Sequence, residues 1–300
     1  MEETQKKKKV SFSQYSMWTK CPYQYYLNYI LGKKIFDANL NTCFGTAIHN
    51  VLQLYIGILY TKSVQEADSL ELFKMFIEEF KIQVEKAKTD NPKLTFTDDE
   101  YTGFQFDGED ILKEFLSTSN RMKHFPANKY EFLGAELPLD ASLRNNVEFI
   151  AFVDLILKNK ENGRIKIIDF KTSSTGWNKY QKEDPTKYEQ VLLYKAFYSK
   201  KFNVPLNMID VEFFILKRKL YEGVAFPQSR LQLFTPIHNS PAVATTLNSF
   251  SEFINECFKE DGTYNMEGKY PKIPGKAKKN CKYCTHKGIN CDAKSDKLED

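Results

Sequence analysis

The chain has 300 residues, enough for one large domain or two small ones, and enough to bury a full core without disulfides. Its 42% hydrophobic and 27% charged residues are ordinary for a soluble globular protein, and a net charge of +4 is too weak to imply nucleic acid by itself. No apolar h-region opens "MEETQKKKKVSFSQYS" and no apolar run approaches 18 residues, so neither a secretory signal nor a membrane span is expected and the protein is read as intracellular, in the cytoplasm.

Along the chain, residues 1–10 read as a basic arm with a lysine run at 6–9. Residues 11–30 read as a helix opened by Ser11 or Ser13. Helices are predicted over 44–61, over 68–88 with Asp68 as N-cap, and over 99–123. Together they form a helical block over 11–125. Apolar segments bounded by turn signals then predict strands at 130–139, 147–159 and 164–173, joined by "DASLRNN" and "KENG" as an antiparallel meander. A helix over 184–203 carries Pro185 in its first turn. Strands at 208–219 and 230–236 and a helix over 241–260 follow, then a lysine- and cysteine-rich tail. Both faces of the central strands are apolar, so helices should cover both sides. The expected fold is α/β, a mixed central sheet flanked by helices. One domain over 11–300 is expected, with its sheet core at 130–236 and its terminal helix and tail at 241–300.

Two acids interrupt these apolar strands. In "RIKIIDFKTSS", Asp169 and Lys171 alternate with Ile168 and Phe170 and so share one face, about 7 Å apart along the strand. Asp154 sits in "AFVDLIL" on the preceding strand. Buried charges are costly unless paired or bound to a metal. Two carboxylates on neighbouring strands make an oxygen site suited to Mg²⁺ or Mn²⁺. Lys171 beside them can orient or deprotonate a metal-bound water, and a metal plus a cation stabilises a phosphodiester under attack.

The segments "FVD" and "IIDFKT" resemble the core of the PD-(D/E)XK nucleases, specifically their RecB-like branch. "GTAIHNVL" (45–52) is similar to that branch's Gly-x-x-x-His helix, which assigns His49 to the metal site. "QVLLY" (190–194) is similar to its Gln-x-x-x-Tyr motif, which places Gln190 and Tyr194 on one helical face. "ELPL" resembles the strand segment whose Glu precedes the two acids, here Glu136. The resemblance runs from about residue 11 to 291. It departs at Ala151-Phe152 and Ser173, where the family often has Gly, and at Gln53, where it often has an acid four residues after the His.

Six cysteines in an intracellular chain point to metal binding or free thiols rather than disulfides. "CKYCTHKGINC" supplies Cys281, Cys284 and Cys291, three soft ligands that need a fourth, either His286 or a distant cysteine. The N-terminal "CPYQY" resembles the "CP-x-x-Y" of AddB-type nucleases. In those, such a cysteine and a C-terminal trio bind a [4Fe–4S] cluster, so the resemblance implies Cys21 as the fourth ligand. The final gap of six residues is one longer than the usual five, and zinc is the competing ligand. Cys43 and Cys257 lie in apolar helical settings and read as core residues.

The resemblance implies a Mg²⁺- or Mn²⁺-dependent DNA nuclease, an exonuclease on single-stranded or frayed ends, serving recombination, repair or phage DNA metabolism. Asp154, Asp169 and His49 would hold the metal, Lys171 would act on water, and Glu136, Gln190 and Tyr194 would support the site or the DNA. The competing readings are a non-catalytic iron–sulfur DNA-binding scaffold and a structure-specific endonuclease. The sequence has no Gly-x-x-x-x-Gly-Lys-[Ser/Thr] and so no recognisable helicase motor; the expectation is that it either works alone or has a separate helicase or recombination partner.

Overall fold

The computed structural model describes residues 7–35 and 39–292. Six strands form one mixed sheet: β1 (Lys8–Val10), β2 (Tyr130–Ser142), β3 (Val147–Asn159), β4 (Ile165–Ser173), β5 (Ile209–Lys217) and β6 (Leu231–Phe234). Strands β2, β3 and β4 are the expected antiparallel meander. β5 lies parallel to β4 and β6 antiparallel to β5. A parallel pair cannot be joined by a hairpin, and the crossover between β4 and β5 carries a long helix.

The helices are α1 (Phe12–Lys20), α2 (Pro22–Tyr25), α3 (Leu40–Thr61), α4 (Val64–Asp68), α5 (Leu72–Asp90), α6 (Asp98–Leu116), α7 (Thr118–His124), α8 (Lys179–Lys182), α9 (Pro185–Phe202) and α10 (Ser240–Cys257). Strand alternation splits the core in two. Leu155, Leu157, Ile168, Phe170 and Phe214 pack against α3, α5 and α6 on one face. Ile156, Ile165, Ile167, Val211 and Phe213 pack against α1, α9 and α10 on the other. Each such side chain taken from water contributes about 1.5–3 kcal/mol before ordering costs.

Several elements depart from the sequence reading, each for a local reason. The helix expected over 11–30 breaks at Cys21, whose backbone is extended (φ −159°) because the following Pro22 disfavours helical geometry before it. Nor does this segment join one helical block. Tyr15 of α1 packs edge-on to Phe250 of α10, on the opposite face from α3. Lys8–Val10, expected within a basic arm, is a strand parallel to Val147–Phe149 with Val10 buried. Residues 1–6 of that arm and 293–300 of the tail lie outside the described residues. Asp68 ends α4 instead of capping the next helix, and its Oδ1 accepts a 2.6 Å hydrogen bond from Tyr55 Oη. α3 is long and apolar enough to cross a membrane by length and composition, a run the sequence reading did not find. It is a core helix here, with Phe44, Ile48, Leu52 and Ile56 wholly enclosed.

Candidate active site

The β3–β4 ladder stops at the pair Leu155–Ile168. One residue further on, Asp154 and Asp169 stand at the point where the strands part, β3 continuing beside β2 and β4 beside β5. Asp154 Oδ2 accepts a 2.7 Å hydrogen bond from the Phe170 N–H, a backbone donor that the opened ladder leaves free. Asp169 is only 1% exposed, and Lys171 Nζ lies 2.6 Å from its Oδ2. The fork therefore holds two acids and one cation within a few residues of two strands.

Glu136 joins them from β2. It falls between the pairs Ala135–Leu155 and Leu137–Val153, opposite Asp154. Its φ of +48° is left-handed, a conformation that costs a non-glycine residue about 1–3 kcal/mol and persists only where surroundings enforce it. One such constraint is visible: Gln53 Nε2 donates a 2.9 Å hydrogen bond to Glu136 Oε1. Gln53 and His49 are four apart on α3 and so present to the same side. His49 Nδ1 lies 3.9 Å from Asp154 Oδ2, and its Nε2 is enclosed without a hydrogen-bond partner. One turn earlier, a Cβ on Gly45 would stand 3.1 Å from Thr172 Oγ1, so glycine is what lets α3 approach β4 this closely.

α9 closes the site from the other face. Gln190 Nε2 donates a 2.6 Å hydrogen bond to Tyr194 Oη, so the pair expected to act on a substrate is also engaged with itself. Tyr194 is buried, and its hydroxyl is held well above the ordinary tyrosine range by burial and then by the charges of Asp169, Asp154 and Glu136. The hydroxyl therefore feels the charge of all three acids.

The charges decide what the fork can bind. Burial, reinforced by Asp169, pushes the Asp154 carboxyl up to about 8, although Lys171 and the Phe170 N–H oppose the shift. Burial raises Asp169 too, against the pull of Lys171. Burial and Lys171 push His49 down to about 3, so its imidazole is neutral and keeps a lone pair. Two acids that resist ionising together, beside a neutral imidazole with an unused buried nitrogen, fit a hard divalent cation, whose charge would restore both carboxylates. His49, Glu136, Asp154, Asp169, Lys171 and Tyr194 are all brought together. Sequence reasoning treated Gln53 only as a departure. Its spacing of four from His49 was the signal that it faces the site.

A second cluster forms where Cys21, freed by the break before Pro22, meets the tail. Cys21, Cys281, Cys284 and Cys291 line one small cavity with Leu27 and Pro274. Asn280 Nδ2 donates to the Lys20 carbonyl at 2.8 Å, tying the tail to α1. Burial, then the neighbouring Cys284, Cys21 and Cys291, raise the Cys281 thiol. All four thiols are free. Cys43 and Cys257 are buried core residues, as expected. Among the described residues, neither this cluster nor the Asp154–Asp169–His49 set draws three His, Cys, Asp or Glu side chains into the arrangement a single metal ion needs; both supply donor types, not a closed metal site.

A six-stranded mixed sheet flanked by helices, with paired acids and a lysine at a strand fork, is an α/β fold of the restriction-endonuclease type. A sequence profile described as the PD-(D/E)XK nuclease superfamily matches residues 9–291, and the chain belongs to that superfamily. No curated protein sequence matches it. Among solved structures, a candidate exonuclease from Eubacterium rectale is similar at 10% identity and a TM-score of 0.45, over 83% of this chain and 79% of that one. A protein named SSO0001 is similar at 11% identity and a TM-score of 0.40, over 97% and 89%. At such distances neither carries an argument here.

Proposed function

We propose that this chain is a metal-dependent DNA nuclease of the RecB-like branch, an exonuclease acting on single-stranded or frayed ends in recombination, repair or phage DNA metabolism. The observation that carries this reading is the enclosed Asp154–Asp169 pair at the strand fork, ion-paired to Lys171 and faced by a neutral His49. Asp154, Asp169 and His49 would hold Mg²⁺ or Mn²⁺, which supplies positive charge and Lewis acidity beside the phosphodiester. Lys171, fixed by Asp169, orients the attacking water and offers its ammonium to the charge that develops on phosphate. Glu136 and Gln53 hold the α3 side of the fork. Gln190 and Tyr194 line the α9 side.

A basic surface supports nucleic acid as substrate. Lys187, whose ammonium sits 5.2 Å over the Trp177 ring, is pushed below the ordinary lysine range by burial and then by Lys20, with Lys171 and Lys279 adding to the effect. Asp184 opposes that shift, and the lysines named come from α1, β4, α9 and the tail. Exposed aromatics flanked by lysines, here Tyr180 between Lys179 and Lys182 and Tyr283 beside Lys282, suit single-stranded DNA. Duplex opening would fall to a separate helicase or recombination partner.

The cysteine cavity is proposed to hold a [4Fe–4S] cluster on Cys21, Cys281, Cys284 and Cys291, tying the tail to the N-terminal helices. Support comes from four free thiols in one largely apolar cavity, with the Cys281 thiol raised by burial and then by the three others. Iron and sulfide in anaerobically purified protein are expected; zinc without sulfide contradicts the cluster.

The activity is tested with end-labelled linear and closed-circular single-stranded DNA, with Mn²⁺ or EDTA. Degradation of the linear strand in Mn²⁺ alone, with the circle spared, is expected. Cutting of the circle would make the enzyme an endonuclease, and no cutting at all would make the fork a binding site.

A further inference from the structure

His286 lies between Cys284 and Cys291 and is 1% exposed. Its carbonyl accepts the N–H groups of Ile289 at 3.1 Å, Asn290 at 3.0 Å and Cys291 at 3.0 Å, so the loop joining the two cysteines closes around it. The ring lines the cavity shared by the four thiols. Asn290 Nδ2 stands 3.1 Å from His286 Nδ1. An amide nitrogen only donates, so Nδ1 accepts, and a neutral ring then carries its proton on Nε2. That Nε2 is enclosed and has no hydrogen-bond partner among the described residues. A buried N–H without an acceptor is costly, and such groups are rare. Four thiols line the same cavity, beside the amide side chains of Gln24 and Asn280, and none of these accepts from Nε2 in the absence of a bound group.

We infer that His286 is a positioning residue of the cysteine site, donating its Nε2–H to a sulfur of the bound cluster and raising the cluster's reduction potential. The inference rests on the iron–sulfur reading above. A ligand role fits less well. A metal-bound imidazole carries its proton on the other nitrogen and donates it outward, whereas here Asn290 presents a donor at that position. Four thiols also complete a cubane without it. Hydrogen bonds to cluster sulfurs stabilise the more negative, reduced state, so removing one lowers the potential.

The test uses anaerobic, cluster-loaded full-length protein. Iron, sulfide and the reduction potential are measured for wild type, for His286→Phe and His286→Leu, which lack a donor, and for His286→Gln, which keeps one. The expected result is four irons per chain throughout, a lower potential in the Phe and Leu proteins, and a value near wild type in the Gln protein. Equal potentials in wild type and both donor-free variants overturn the inference. So does loss of iron from all three variants, which would make His286 a ligand or a packing group. A wild-type protein without iron and sulfide overturns the cluster reading itself, a failure visible before any variant is compared.

Discussion

Lys171 Nζ stands 2.6 Å from Asp169 Oδ2 at the end of β4, and that carboxylate is almost wholly enclosed. The contact is both a structural ion pair and a candidate catalytic pair, and substitution separates the two. Removing the ammonium leaves a buried charge uncompensated, which destabilises. If Lys171 also acts on the reacting phosphate, Lys171→Met in its folded form loses roughly a hundredfold or more in single-turnover rate while still binding DNA. Lys171→Arg keeps the charge but cannot deprotonate water and has a planar fork. It is expected to restore DNA binding and not the rate. A near-wild-type rate in the Met protein reduces the pair to architecture.

The raised Asp154 carboxyl makes the metal-free protein sensitive to alkali. Its pKa is near the ordinary value of about 3.9 when unfolded and about 8 when folded. Between those values the folded chain binds the extra proton. Its contribution to stability is therefore complete below about pH 4 and lost as pH rises toward 8. Melting temperatures in EDTA should fall across pH 5–8.5, and the fall should flatten in Asp154→Asn or in saturating Mg²⁺. A wild-type slope no steeper than that of Asp154→Asn contradicts the charge arrangement.

Gln53→Glu tests the α3 side. Gln53 donates to Glu136 at 2.9 Å, so a carboxylate there would face Glu136 close to two further acids. Without metal the variant should be less stable than wild type by roughly 1–3 kcal/mol at pH 8, the scale of a buried unfavourable contact. Mn²⁺ should recover much of that loss. Equal melting temperatures in EDTA would mean that Gln53 is remote from the acids.

Gly45→Ala sets helix propensity against packing. Alanine favours a helix interior by about 1 kcal/mol, but its Cβ would meet Thr172 Oγ1 at 3.1 Å and push α3 away from β4. The two effects oppose, so the melting temperature should change little. His49 moves with the helix, so the Mn²⁺ concentration for half-maximal cleavage should rise by roughly tenfold, the scale of a disturbed ligand setting. An unchanged metal requirement contradicts the placement of His49.

The sequence reading reached the sheet because Val147–Asn159 and Ile165–Ser173 are apolar on both faces, which requires covering on both sides. It reached Asp154, Asp169 and Lys171 because charged residues inside apolar strands need a reason, and His49 only through the resemblance of "GTAIHNVL" to the Gly-x-x-x-His helix. What it missed depends on backbone detail. Glu136 at φ +48° lies within an ordinary strand pattern, and nothing in "ELPL" announces a left-handed residue. Lys8–Val10 is too short and too basic to read as a strand; it is fixed by Val147–Phe149, far away in the chain. Which face of the sheet α1 covers follows from Tyr15 meeting Phe250, a contact between residues 235 apart in numbering that no local pattern encodes. Pro22 did carry a local signal, a break before proline, and the predicted helix ran through it.

The most direct measurement is single-turnover cleavage of an end-labelled single-stranded oligonucleotide at saturating Mn²⁺ by wild type, Asp154→Asn and Asp169→Asn, with DNA affinity measured in parallel. Both substitutions remove a carboxylate from the fork and keep the side chain's size. The account predicts rates at least roughly a thousandfold below wild type in each, with DNA affinity kept or increased as repulsion toward phosphate is relieved. Full activity of wild type in EDTA, or of either variant in Mn²⁺, would contradict it.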